Sequence, residues 1–258
     1  MTRAQHISAH RYGPYESQFG FLSLPDAAPP YRVVVLLHGG FWQLPWALDL
    51  MDGAASDLTS RGLAVWNLEY RRLGEPGAGW PGTFGDVVAG LDALADLPAA
   101  TELNLNSVAV AGHSAGGHLA LWLAGERGPS AESRVVLAGA VGLAAVADLR
   151  AAWERGAGSE AVEALLGGLP HAIPERYRAA SPADRLPCGL RTLLVHGERD
   201  RVVPPELSRL YVAEARRRGD DASLAVFPRT GHMDVINPRS EPWKFAARWL
   251  EVITDEAI

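Results

Sequence analysis

Lysine is nearly missing from this chain. Lys244 is the single lysine among 24 Lys and Arg in 258 residues. It falls in a surface-helix pattern near the C-terminus, so Schiff-base chemistry and a Walker A phosphate loop have no candidate lysine elsewhere. Cysteine is equally scarce. Cys188, in LPCGL, stands alone, which removes intrachain disulfides and zinc sites built on several thiolates. With no motif around it, it reads as an inert packing residue. The HExxH zinc signature is absent, and no metal or other cofactor is implied. No apolar run approaches the roughly 18 residues of a membrane span. The N-terminal MTRAQHISAHRYGPYES lacks the apolar core of a signal peptide, leaving a cytoplasmic location as the default expectation. A net charge of −6 leaves no basic footprint for nucleic acid. What remains is a chain with no nucleic-acid or membrane partner, a small-molecule substrate, and a homodimer as its candidate assembly.

What is present is alternation. VVVLL (33–37), LAVWNL (63–68), VAVAG (108–112), RVVLAGAVGL (134–143) and TLLVHG (192–197) are short and apolar on both faces. Such runs suit interior strands of a parallel sheet covered by helices on each side. Helical patterns fill 45–60, 83–97, 115–126 and 204–219, the last with Pro at its start and Gly at its end. SLAVF (223–227) reads as a final strand, 242–253 as a closing helix, and 16–24 as an antiparallel edge strand, while His6 and His10 are assigned to a mobile terminus. The expected fold is α/β, a mostly parallel doubly wound sheet with helices on both faces, in one domain over 1–258. Residues 148–182, chopped by Gly and Pro, are too long for an ordinary loop and read as a small helical cap insertion.

Residues 107–120 read SVAVAGHSAGGHLA. A strand runs into Gly112-His113-Ser114-Ala115-Gly116 and a helix follows at once, the context a GxSxG nucleophile elbow requires. Ser114 is the candidate nucleophile, at a helix N-terminus that favours developing negative charge. The acid should follow a late strand. Asp200, just past 192–197, is preferred over Glu198, Asp148 and Asp184 because active sites of open α/β sheets gather at strand C-termini. The base should follow the last strand, and His232, in TGHMD, is the only histidine beyond residue 196. His113, His118 and His196 sit on strand or helix positions and read as packing or supporting groups, and Asp234 as a local loop residue.

Acyl transfer needs N–H groups aimed at an oxyanion. Ala115 supplies one; HGGFW (38–42), at the end of the first parallel strand, supplies the others from Gly39 and Gly40, with His38 fixing the loop by hydrogen bonding. Phe41 and Trp42 are candidate substrate contacts, Phe41 foremost, since Trp42 can instead turn inward to anchor the loop. Trp46, Trp80 and Trp153 also lie where they can line a mouth.

HGGFW, GHSAGGHLA, the Asp of HGERD and the His of TGHMD together resemble the α/β-hydrolase superfamily over most of the chain. The HGGFW loop and the nucleophile segment are similar to those of kynurenine formamidases (arylformamidases). That similarity implies a Ser114–His232–Asp200 triad that hydrolyses an aryl formamide such as N-formyl-kynurenine, with HGGFW as its oxyanion loop. A general carboxylesterase is the alternative, and a non-catalytic ligand-binding protein of the same fold is a third reading.

Overall fold

A computed structural model describes residues 6–129 and 133–255; the ends of the 1–258 span lie outside the described residues. Eight strands form one sheet: β1 (His6–Arg11), β2 (Phe19–Leu24), β3 (Tyr31–Leu37), β4 (Ala64–Leu68), β5 (Leu103–His113), β6 (Leu137–Leu143), β7 (Arg191–Gly197) and β8 (Ala222–Phe227). Their order is β1-β2-β4-β3-β5-β6-β7-β8. β1 and β2 join antiparallel and the other six strands run parallel to one another. This is the α/β-hydrolase fold that the sequence leads one to expect.

Period-two burial explains why the central strands read as continuous apolar runs. In β3, Val33, Val35 and Leu37 enter one core layer while Val34 and Leu36 enter the other. In β5, Val108 and Val110 part from Ala109 and Ala111 in the same way. Alternate side chains leave opposite faces of a strand, so a sheet covered on both sides needs apolar residues at every position. The first layer is closed by α2 (Gly82–Asp92), α3 (Ala115–Arg127) and α7 (Pro205–Arg217) through residues such as Phe84, Leu119 and Tyr211. The second is closed by α1 (Asp52–Ser60) and α8 (Glu241–Ile253) through Leu58, Trp243 and Leu250.

Two expectations at the N-terminus need correction. The segment holding His6 and His10 is not a mobile tail but strand β1, registered His6↔Leu24 to Arg11↔Phe19. Consequently β2 is not the edge; it lies between β1 and β4. The alternation of β1 is masked because it is an outermost strand with three basic or imidazole side chains, a composition edge strands favour.

The order places β4 on one side of β3 and β5 on the other. Chain direction across the sheet therefore reverses at β3, and the crevice beyond the C-terminal ends of β3 and β5 is the topological switch point where ligands bind in such sheets. Their register, Leu37↔Gly112, sets HGGFW beside GHSAG. Residues 148–182 form α4 (Leu149–Glu154), α5 (Ser159–Leu166) and α6 (Pro174–Ala180). Val162, Leu165 and Tyr177 are buried in the first core layer, and Trp80 donates its backbone N–H to Leu165 O at 2.7 Å. All three helices contribute buried residues to that layer.

Gly116 and Gly85 should respond oppositely to a methyl group. A Cβ on Gly116 would lie 2.2 Å from Leu37 O and 2.3 Å from His38 O, both backbone atoms. A Cβ on Gly85, exposed in α2, meets nothing within 4 Å. Gly116→Ala is expected to cost about 3 kcal/mol and Gly85→Ala to gain about 0.5–1 kcal/mol, read from denaturant midpoints at constant m-value.

Candidate active site

Ser114 stands between β5 and α3 as the N-cap of the helix, with φ 54° and ψ −113°, a conformation disfavoured for any side chain. The strain is held in place by glycine contacts. A Cβ at Gly112 would lie 2.1 Å from Gly116 O, and one at Gly117 2.8 Å from Ala145 Cβ. The Ser114 N–H bonds Leu143 O at 2.8 Å, so the turn is pinned to the neighbouring strand. Ala115 opens α3; its N–H belongs to the first-turn groups that have no acceptor within the helix.

Asp200 lies at the turn after β7, buried, with its carboxylate fully engaged. Oδ2 accepts His232 Nδ1–H at 2.7 Å, and Oδ1 accepts the N–H groups of Val202 and Val203 at 2.8 and 2.9 Å. His196 Nε2 lies 3.2 Å from Oδ2 and 2.9 Å from Val203 O. Burial opposes ionisation of Asp200, but the bonds from His196, His232 and the backbone outweigh it and hold the carboxyl well below the ordinary range. The anion fixes His232 with Nδ1 protonated, which leaves Nε2 with its lone pair. The His232 loop is itself tied down: Arg199 N–H donates to Thr230 O at 2.9 Å, and Gly231 N–H to Asp234 Oδ2 at 2.6 Å.

Ser114 and His232 line one cavity of about 210 Å³ with Gly40, Phe41, Trp46, Leu50, His113, Val202 and Met233. No hydrogen bond joins the Ser114 hydroxyl to His232 among the described residues; catalytic contacts of this kind often tighten only around substrate. A Cβ on Gly39 would sit 3.2 Å from Ser114 Cβ and one on Gly40 2.2 Å from Trp46 Cβ, so only glycine brings this loop so close to Ser114 and Trp46. Gly40 has φ 111°.

Phe41 lines the cavity. Trp42 does not: it is 1% exposed and donates Nε1–H to His118 Nδ1 at 3.2 Å. Phe41 and Trp42 have φ of 53° and 58°, and this left-handed pair turns successive side chains to opposite sides, one to the mouth and one to the core. Trp46 reaches the cavity, whereas Trp80 packs on Phe84 and Trp122 and Trp153 bonds Glu163. Leu50, Val202 and Met233 went unnoticed in the sequence; Val202 and Met233 had a signal, each within two residues of a triad candidate. Glu198 is exposed, Asp148 caps α4 through Ala151 N–H, and Asp184 lies in a turn outside the cavity. Cys188 is buried, its thiol pushed up to about 11 by burial.

The protein matches the model of the BD-FAE family over residues 22–214, more than half its length. The chain belongs to the BD-FAE family. Among proteins with curated descriptions, none matches it. Solved structures of similar fold include a truncated form of a carbohydrate esterase from gut microbiota, 19% identical with TM-score 0.84 over 99% of both chains. Esterase B from Lactobacillus rhamnosis is 20% identical with TM-score 0.81, covering 99% of this chain and 89% of its own. A thermophilic esterase from the planctomycete Thermogutta terrifontis with propionate bound is 19% identical with TM-score 0.74, covering 97% and 94%. This BD-FAE-family chain is a hydrolase of esterase type, and no helix among its described residues is long and apolar enough to cross a membrane.

Two buried imidazoles beside the site predict an acid sensitivity. Burial pushes His113 down to about 3, with the neighbouring His232 adding to the effect, and pushes His118 down to about 4. An unfolded histidine takes up its proton near 6.5. Between these values the unfolded state binds more protons, so stability rises with pH there and falls on acidification. The pair should lower the unfolding free energy from about pH 6.5 to pH 4 by up to about 2.7 kcal/mol per pH unit. Denaturant titrations across that range should lose about half of this slope in His118→Gln.

Proposed function

We propose that this protein is a cofactor-independent serine carboxylesterase that cleaves small, uncharged esters through an acyl-enzyme. The observation that carries the reading is the 2.7 Å Asp200–His232 bond at a cavity that also holds the strained Ser114. Ser114 Oγ attacks the ester carbonyl while His232 takes its proton and then gives it to the leaving alcohol; Asp200 keeps the imidazole oriented and balances its charge. The N–H groups of Ala115 and of Gly39 and Gly40 receive the oxyanion. Water, activated by His232, then releases the acid. A cavity of about 210 Å³ lies below the range typical of drug-sized ligands, and its aromatic and aliphatic walls suit a short acyl group. Propionate bound to the similarly folded Thermogutta esterase agrees with that size.

The arylformamidase reading keeps one favourable observation, since Phe41 and Trp46 offer aromatic walls to a planar aryl group. Against it, the cavity has no carboxylate, Arg or Lys among the described residues to meet the amino-acid end of N-formyl-kynurenine. The arginines of the 148–182 segment that could meet a substrate carboxylate, Arg150, Arg155, Arg176 and Arg178, do not line it.

Ser114→Ala should lower kcat by about 10⁴ or more with the fold retained. A fluorophosphonate should label Ser114 one to one in the wild type; a mutant that keeps most of its activity, or an unlabelled serine, rejects the mechanism. In parallel assays a short p-nitrophenyl ester should turn over at least about 10² faster than N-formyl-kynurenine, equal to some 2.7 kcal/mol of transition-state discrimination. The reverse ranking would restore the formamidase reading.

A further inference from the structure

His38 faces a hydrogen-bond acceptor on each ring nitrogen. Nδ1 lies 2.7 Å from Gly39 O and Nε2 lies 2.7 Å from Glu69 Oε1. A neutral imidazole carries one proton. Either neutral tautomer would therefore press a ring lone pair against a carbonyl or a carboxylate oxygen at 2.7 Å. Only the imidazolium satisfies both contacts.

The surroundings support a buried cation. Glu69 and His38 are each 1% exposed. The Glu69 carboxylate accepts from His38, from the N–H of Tyr70 at 3.0 Å and from the N–H of Leu48 at 3.1 Å, and Arg72 forms an ion pair with it at 3.3 Å. That donor set calls for an ionised carboxylate. Arg72 also pairs with Glu75. With His38 charged, two cations and two carboxylates cancel; with His38 neutral, the cluster would keep an unbalanced buried negative charge, which is costly. Tyr70 stacks on the His38 ring at 4.3 Å and 6° and donates its hydroxyl to His38 O at 2.7 Å, which suits a cation and fixes the ring.

We propose that Glu69 is a positioning residue that keeps His38 as an imidazolium, and that this cation aims and polarises the Gly39–Gly40 peptide toward the oxyanion. In a trans peptide the C=O and N–H point opposite ways. Holding Gly39 O on His38 thus turns the Gly40 N–H away from the ring, and Gly40 lines the cavity beside Ser114. A charged donor on the carbonyl also strengthens the N–H as a donor, because linked hydrogen bonds polarise one another. The same carboxylate holds Leu48 N–H, and Arg72 donates to Trp46 O at 2.8 Å, so one anion secures both the oxyanion loop and the cavity wall. The inference rests on the esterase reading for its kinetic consequence, but not for the charge of His38.

The test uses the full chain with ¹⁵N-labelled histidine at pH 8, where an ordinary histidine is neutral. Both ring nitrogens of His38 should carry protons in the wild type, and one only in Glu69→Gln. Glu69→Gln should lower kcat on p-nitrophenyl acetate about 10–100-fold with KM within about threefold, since the lost stabilisation belongs to the transition state. A neutral His38 in the wild type overturns the proposal without any variant, and so does a folded Glu69→Gln with wild-type kcat. Wild-type labelling by a fluorophosphonate separates the two ideas: an unlabelled Ser114 rejects the esterase reading, while the His38 signals still report its charge.

Discussion

Backbone packed directly on backbone at the C-terminal end of β5 is the constraint on which the site depends. Gly112 admits Gly116 O, Gly116 admits the carbonyls of Leu37 and His38, and Gly39 admits Ser114. None of these contacts leaves room for a side chain. They join the elbow, helix α3 and the HGGFW loop into one rigid corner, so that the left-handed conformation of Ser114 is over-determined by its neighbours and persists despite its cost. The covered parallel sheet supplies what that corner needs, two strand ends held in register at the point where the sheet order reverses.

Two acid–imidazole pairs flank this corner, Glu69–His38 wholly buried and Asp200–His232 with its histidine at the cavity, and the contrast between them is chemical. Asp200 meets His232 on one nitrogen only and spends its other oxygen on backbone N–H groups, leaving the second nitrogen of His232 free to move a proton. Glu69 meets a histidine whose other nitrogen is already committed to Gly39 O. Among the described residues the first pair leaves one imidazole nitrogen uncommitted and the second leaves none. Low local dielectric makes both arrangements strong and makes an unpaired member of either expensive.

Much of this could be read from the residues. The meeting of Ser114, Asp200 and His232 was legible because GHSAG joins a strand to a helix, Asp200 follows a late strand and His232 lies in a glycine-led loop. The interior strands were legible because burial on both faces leaves no polar position. What was hidden depended on pairing between distant segments. Glu69 stands beside His38 only because β3 and β4 align Leu37 with Leu68, and a single sequence does not print that register. Strand β1 escaped notice because an outermost strand can be polar. Trp42 was ambiguous because sequence position does not reveal two consecutive left-handed residues, and these send Phe41 and Trp42 to opposite sides.

Phe41 is held from behind as well as from its own loop. A Cβ on Gly158, just before α5, would lie 2.7 Å from the Phe41 ring, so the insertion touches the cavity wall without lining the cavity. The breadth of that cavity is thereby delegated to a segment remote from Ser114, Asp200 and His232. Drift in sequence or length between α4 and α5 can rescale the cavity while those three residues stay where they are. Selectivity and chemical competence can thus evolve on separate parts of the chain, with a single phenyl ring as the gauge between them.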